Sequence, residues 1–139
     1  GFPNSRFVAD FIGQCNLYSG SIVARSGTIA TLDVTGLGPV RIATTSQPAV
    51  GSTATLALRP EQIRIASSAH DGTAGNHYRG RVADLLYMGD VTVYKVETPG
   101  GARIEALLAN SQGGRAKFFE VGDPVEMSWP VDAGHFISE

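Results

Sequence analysis

Leu56-Ala57-Leu58-Arg59-Pro60-Glu61-Gln62-Ile63-Arg64-Ile65 sets two apolar alternations, Leu56/Leu58 and Ile63/Ile65, on either side of an Arg-Pro-Glu corner. Alternation with a period of two is the pattern of a half-buried strand, and Pro60 has no N–H to give to a ladder. Two short extended segments therefore meet at a bend. A glycine-led approach, Val50-Gly51-Ser52, precedes them, and the bend holds a cation and an anion, Arg59 and Glu61.

Strand text of this kind continues in both directions. The pattern predicts strands over 17–24, 28–35, 39–43, 53–58, 63–66, 78–87, 91–98, 102–109 and 124–129. Glycine turns fall at Gly27, Gly36-Leu37-Gly38-Pro39, Gly72 to Asn76, Gly89-Asp90, Pro99-Gly100-Gly101 and Gly113-Gly114. One short helix is expected over 3–13, PNSRFVADFIG: Asn4 or Ser5 caps it, Phe7, Val8, Phe11 and Ile12 share a face, and Gly13 stops it. The expected fold class is all-β with that one N-terminal helix.

The chain also echoes itself. Tyr18-Ser19-Gly20-Ser21-Ile22-Val23 resembles Tyr78-Arg79-Gly80-Arg81-Val82-Ala83, and Arg41-Ile42 follows a glycine turn as Arg103-Ile104 does. Val50-Gly51 leads into a strand ending at Pro60, and Val121-Gly122 into one ending at Pro130. Two similar β modules follow, with halves about 16–66 and 77–139, joined by the Ser/Gly/Ala-rich stretch 67–76. The second copy carries extra residues around Asn110 to Lys117. Whether the halves close separately or exchange strands is left open.

A chain of 139 residues can bury roughly two-thirds of its unfolded surface and needs no disulfide or metal staple. Charged residues make up only 17% while glycine numbers 17, which favours many short strands over solvent-laced helices. A net charge of −2 gives no global attraction to nucleic acid or to an anionic membrane. Cys15 stands alone, so no internal disulfide forms, which fits a reducing compartment. No apolar run approaches the roughly 18–20 residues of a membrane helix, so no direct membrane insertion is expected. The start, Gly1-Phe2-Pro3 without an initiator methionine, reads as an excised part of a longer protein.

Taken together, three motifs resemble one family. Pro3, Phe7-Val8-Ala9, Asp10, Phe11-Ile12-Gly13 and Asn16 are similar to the segment that follows the nucleotide-binding domain in ATPase subunits of ABC importers. Arg59-Pro60-Glu61 resembles that family's Arg-Pro-Glu motif, and GRVADLLYMGDVTVYKV with a late VGDPVEMSW resembles its C-terminal repeat. The domain so identified is the transport-associated OB-type (TOBE) regulatory domain, most similar to the spermidine/putrescine type. The resemblance implies OB-fold-like β-barrels over 16–139, with 1–15 as the linker helix from an ATPase domain. It further implies a second copy of the subunit as partner, membrane permease subunits reached through the full-length protein, and a cytoplasmic location peripheral to the inner membrane. An unpaired β edge and an apolar patch on each copy would be buried against its twin.

Chemistry of its own is not legible. A phosphate-cradling loop, G-x-x-x-x-G-K-[ST], needs a Gly-Lys pair that does not occur here. ATP and Mg²⁺ are therefore expected on an ATPase domain outside this chain, and no catalytic, cofactor or metal residue within it. His70 and His77 around Asp71 fit no standard zinc spacing and read as a solvated connector; His135 reads as structural or exposed. Cys15 has no histidine close in sequence to activate it. Arg59, Pro60 and Glu61 have two readings: an inter-domain or inter-subunit contact, or a corner that Pro60 shapes while Arg59 bonds nearby carbonyls. Two further functions compete with the regulatory one. A small-ligand or oxyanion site would use backbone N–H groups of the Gly36–Pro39 and Gly113-Gly114 loops. A nucleic-acid surface would use Tyr18, Tyr78, Tyr87, Tyr94 and Trp129 with Arg79, Arg81 and Arg103; the charge balance argues against it, and no nucleic-acid partner is expected.

Overall fold

The computed structural model describes residues 15–67, 75–110 and 119–138. The helix expected over 3–13, most of the connector and the Gly113-Gly114 loop lie outside them. The described residues form ten strands: β1 (Asn16–Ser26), β2 (Ile29–Val34), β3 (Gly38–Ala43), β4 (Thr53–Leu58), β5 (Arg64–Ala66), β6 (Asn76–Tyr87), β7 (Val91–Glu97), β8 (Arg103–Ala109), β9 (Pro124–Trp129) and β10 (His135–Ser138). A single 3-10 turn, Pro60–Gln62, joins β4 to β5. Nine of these strands match the alternation in the sequence, and the fold is all-β. The tenth, β10, was not anticipated.

Two five-stranded antiparallel sheets result, ordered β10-β4-β1-β2-β3 and β5-β9-β6-β7-β8. Each is built around one long bent strand. β1 pairs with β4 through Asn16–Ser21 and with β2 through Gly20–Ser26, with a bulge between Ile22 and Ala24. β6 repeats this, pairing with β9 through Asn76–Arg81 and with β7 beyond it, bulged between Val82 and Asp84. A bulge adds a residue and sharpens the twist, so one strand can serve both walls of a small OB-like barrel. At the bend the chain runs so close to its neighbour that a Cβ on Gly20 would strike the Asp33 carbonyl oxygen, and one on Gly80 would lie 2.7 Å from the Glu97 carbonyl oxygen. The Tyr-x-Gly echo in the sequence marks these two bends.

The closing strands are exchanged. After β4 the Arg59-Pro60 corner carries the chain out of the first sheet, and β5 pairs with β9 of the second (Ile65 with Met127). After β9 the Pro130 corner carries it back, and β10 pairs with β4 (Phe136 with Leu56). Halves along the chain and sheets in space therefore differ by one reciprocal strand. One core spans both sheets, with Ile22, Leu32, Val40 and Leu56 from the first and Val82, Tyr94, Ile104 and Met127 from the second.

A repeated Asn-x-Tyr clasp seals the outer edges of β3 and β8. Asn16 donates through Nδ2 to the carbonyls of Leu58 (3.1 Å) and Glu105 (3.0 Å) and accepts the Glu105 N–H at 2.8 Å. Two residues on, the Tyr18 hydroxyl donates to the Arg103 carbonyl at 2.8 Å. In the reciprocal clasp Asn76 bonds both backbone groups of Arg41, at 2.8 and 2.9 Å, and Tyr78 donates to the Pro39 carbonyl at 2.7 Å. Unpaired strand edges invite association with other chains. Here each module's asparagine and tyrosine occupy the other module's edge.

Candidate functional site

The Arg-Pro-Glu corner is first of all a crossover. Arg59 is extended (φ −75°, ψ 144°), and Pro60 starts the 3-10 turn, where its fixed φ fits and its missing N–H costs nothing. Gln62 closes the turn twice: its N–H donates to the Arg59 carbonyl at 2.9 Å, and its Oε1 accepts the Arg59 N–H at 2.9 Å. Pro60 is buried, Arg59 half-buried and Glu61 exposed. Cys15 shares their electrostatic neighbourhood: burial pushes its thiol up, Arg59 pulls it down and Glu61 pushes it up. A raised thiol is a poor nucleophile.

Three aromatic rings occupy the junction of the modules. The Trp129 ring stacks on Tyr78 at 4.9 Å and lies parallel to Tyr18 at 6.4 Å, with 4° between the latter planes. Burial pushes both tyrosine hydroxyls well above their ordinary range; for Tyr18 the neighbouring Tyr78 and Glu105 add to it. Tyr94 is fully buried, edge-on to Phe119 at 5.4 Å. Of the rings considered for base stacking, Tyr87 is the one standing exposed, on the β6–β7 hairpin. Stacking on nucleobases needs open faces, and the other four rings are committed to packing.

Among the described residues no group of three or more His, Cys, Asp and Glu side chains is placed to hold a metal. His77 is exposed on β6 and His135 on β10, while His70 and Asp71 lie outside the described residues. The Gly36 turn, expected to offer N–H groups to an anion, has bonds of its own. The Leu37 N–H donates to the Val34 carbonyl at 3.0 Å, and the Gly36 carbonyl accepts from Thr98 Oγ1 at 2.7 Å. A Cβ on Gly36 would lie 2.9 Å from the Gly100 carbonyl oxygen, so the two hairpin turns touch.

Among the described residues, two grooves lie beside β6. A groove of about 720 Å³ runs along Arg79–Ala83, walled by Glu97–Pro99, Val121, Gly122 and Pro124. A second, of about 340 Å³, shares Arg79, Thr98 and Pro99 and reaches His77 and the two touching turns. Arg81 donates from Nη1 to the Gly122 carbonyl at 3.0 Å, and Arg79 Nε lies 3.4 Å from Glu126 Oε2. Sequence reading named both arginines, though only as cations for nucleic acid. It named Asn16 only as a motif position and passed over Asn76, a pair that extending the Tyr-x-Gly echo by two residues would have exposed.

Comparison with known proteins agrees with this architecture. Residues 56–137 match the model of the TOBE domain. The chain is 52% identical over 136 residues to the spermidine/putrescine import ATP-binding protein PotA 2 of Pseudomonas aeruginosa, covering 98% of this chain and 38% of that protein. It is 46% identical over 137 residues to the corresponding PotA of Nitrosospira multiformis, with 99% and 38% covered. The chain thus spans little more than a third of these relatives' length. In fold it is similar to the cytoplasmic molybdate-binding protein ModG, with a TM-score of 0.71 over 89% of this chain and 96% of that one, at 14% identity. A family model matching more than half of the chain, on a double OB-like barrel, identifies it as a member of the TOBE domain family.

Proposed function

We propose that this chain is the regulatory C-terminal part of the ATP-binding subunit of an ABC importer for polyamine-type substrates. The observation that carries this is its similarity, over nearly its whole length, to proteins named as spermidine/putrescine import ATP-binding proteins, of which it spans 38%. ATP and Mg²⁺ are bound on the remaining part of such a subunit, and hydrolysis occurs there. A second copy of the subunit and the membrane permease subunits are its partners. It works at the cytoplasmic face of the inner membrane, held there through the complex; no helix among the described residues is long and apolar enough to cross a membrane.

The described structure supports a modulating role. Two modules joined by reciprocal strands and clasps form a stiff body, suited to bias the open or closed state of an engine through differential contacts. Arg59 and Glu61 are our candidates for such a contact, with buried Pro60 fixing the turn that presents them. The test compares the full-length subunit with one lacking residues from Asn16 onward, and with R59E/E61R, in reconstituted transporter. Basal ATP hydrolysis persists in the truncated form, while its coupling to transport or its response to regulators is lost. Indistinguishable uptake and hydrolysis in all three would exclude the regulatory role.

A further inference from the structure

We propose that the outer face of β6 is a binding site for a small organic anion, a carboxylate- or phosphate-bearing molecule held by Arg79 and Arg81. Strand alternation places these two arginines on one face, roughly 7 Å apart along the strand. His77 continues the row in the other direction and lines the smaller groove beside Arg79. The larger groove, at about 720 Å³, lies within the range of small-molecule sites. Both guanidinium groups are already tethered, Arg81 to the Gly122 carbonyl and Arg79 to Glu126. Arg81 uses one donor in that bond and keeps the rest of its fork, which matches the two oxygens of a carboxylate or phosphate.

The molecule contains its own control for what the barrel requires. In the first module the positions of Arg79 and Arg81 are held by Ser19 and Ser21. Where Arg79 meets Glu126 across β6 and β9, Ser19 and Thr55 share a hydroxyl hydrogen bond of 2.7 Å across β1 and β4. The same bent strand therefore forms with serine at both places, and the fold itself does not call for the arginines. The residues that line the groove carry two guanidinium groups, Arg79 and Arg81, against one carboxylate, Glu97. The surplus is positive, which disfavours a polyamine and favours an anion. Pro99, Val121 and Pro124 wall the groove with apolar surface, so the ligand carries a planar or apolar body beside its charge.

Occupancy of this groove can be tested independently of any role in transport. The ¹⁵N-labelled chain is titrated with AMP, with citrate and with spermidine, following the amides of Gly80 and Gly122 and the Nε–H signals of Arg79 and Arg81. Saturable shifts of these signals are expected with AMP or citrate at or below about 10 mM, the arm that saturates first distinguishing phosphate from carboxylate. R81Q should weaken the binding about tenfold or more, and R79S/R81S should abolish it while leaving the remaining spectrum folded. Three results overturn the assignment: no saturation with either anion, equal binding by R79S/R81S, or spermidine saturating the same signals at lower concentration.

Discussion

Replacing Asn16 by alanine tests whether the Asn-x-Tyr clasp holds the two modules together. Asn16 is 7% exposed and makes three hydrogen bonds to backbone groups, two of them to Glu105 on the edge of β8. Each contributes about 1 kcal/mol net, and backbone groups left without a partner in a buried setting add to the loss, so about 3 kcal/mol is expected. That is a large fraction of a typical domain stability of about 5–15 kcal/mol. For a chain of this size it lowers Tm by about 10 °C. Trp129 is the one tryptophan in the sequence and stacks on both clasp tyrosines, so its fluorescence reports the event directly during urea unfolding. The control is Leu17→Ala, at the position between Asn and Tyr, where 39% exposure limits the cost to about 0.5 kcal/mol. A loss below about 1 kcal/mol for N16A, or one equal to that of L17A, refutes the clasp as a source of stability.

Three further outcomes follow from the same geometry. Gly36→Ala should destabilise by more than about 2 kcal/mol, because φ is +82° and the new Cβ would press on the Gly100 carbonyl oxygen; a urea midpoint within error of the parent contradicts this. Tyr18 and Tyr78 have hydroxyl pKa values raised by burial, so their stabilisation is complete below the unfolded value near pH 10 and is lost as pH climbs towards the folded values. Stability should therefore fall above about pH 10, by up to ~1.4 kcal/mol per pH unit for each tyrosine, and Y78F should flatten the slope in alkaline titrations followed by circular dichroism. Trp129→Leu copies Leu58, its counterpart in the first module, and should cost about 2–4 kcal/mol through the cavity it leaves; the indole Nε1 contributes little, being a buried polar side-chain atom without a hydrogen-bond partner among the described residues. A loss under about 1 kcal/mol would show that neighbouring side chains close over the gap.

Much of the fold was legible because its signals are local. Alternation located nine strands, and the echo pointed to two similar modules; that its glycines mark the bends, where a strand squeezed against its neighbour's carbonyl tolerates only glycine, came from the structure. β10 escaped because His135-Phe136-Ile137-Ser138 is four residues long, with Ile137 its one buried side chain. Its counterpart β5 is as short, yet was read from Ile63 and Ile65 after Pro60. Aligning Trp129 with Leu58 would have placed β10, which starts as far beyond Trp129 as β5 starts beyond Leu58. The exchange itself could not be read locally: nothing in Arg64-Ile65-Ala66 says which neighbour's edge is free, because that depends on where β9 lies in space. Of the candidate site, Arg59-Pro60-Glu61 stood out by composition, whereas the groove became visible only when Val121 and Pro124 were brought beside β6.

The reciprocal exchange also constrains how any signal could travel through this domain. β5 is covalently part of the first half and hydrogen-bonded into the second sheet, while β10 is the reverse. Rotating one module against the other would break both strand pairings, both clasps and the Tyr18–Trp129–Tyr78 stack together. Each clasp alone is worth about 3 kcal/mol, so the combined cost exceeds the roughly 1–3 kcal/mol that couples typical allosteric sites. A ligand on β6 therefore cannot act by swinging the modules apart. It can act by changing what the outer face of β6 and the neighbouring turns present to another protein, with the double barrel moving as one body. Ligand-induced shifts should accordingly stay within the residues lining the groove. If AMP or citrate also shifted the Arg41 and Glu105 amides held by Asn76 and Asn16, the clasps would be yielding and the rigid-body account would fail.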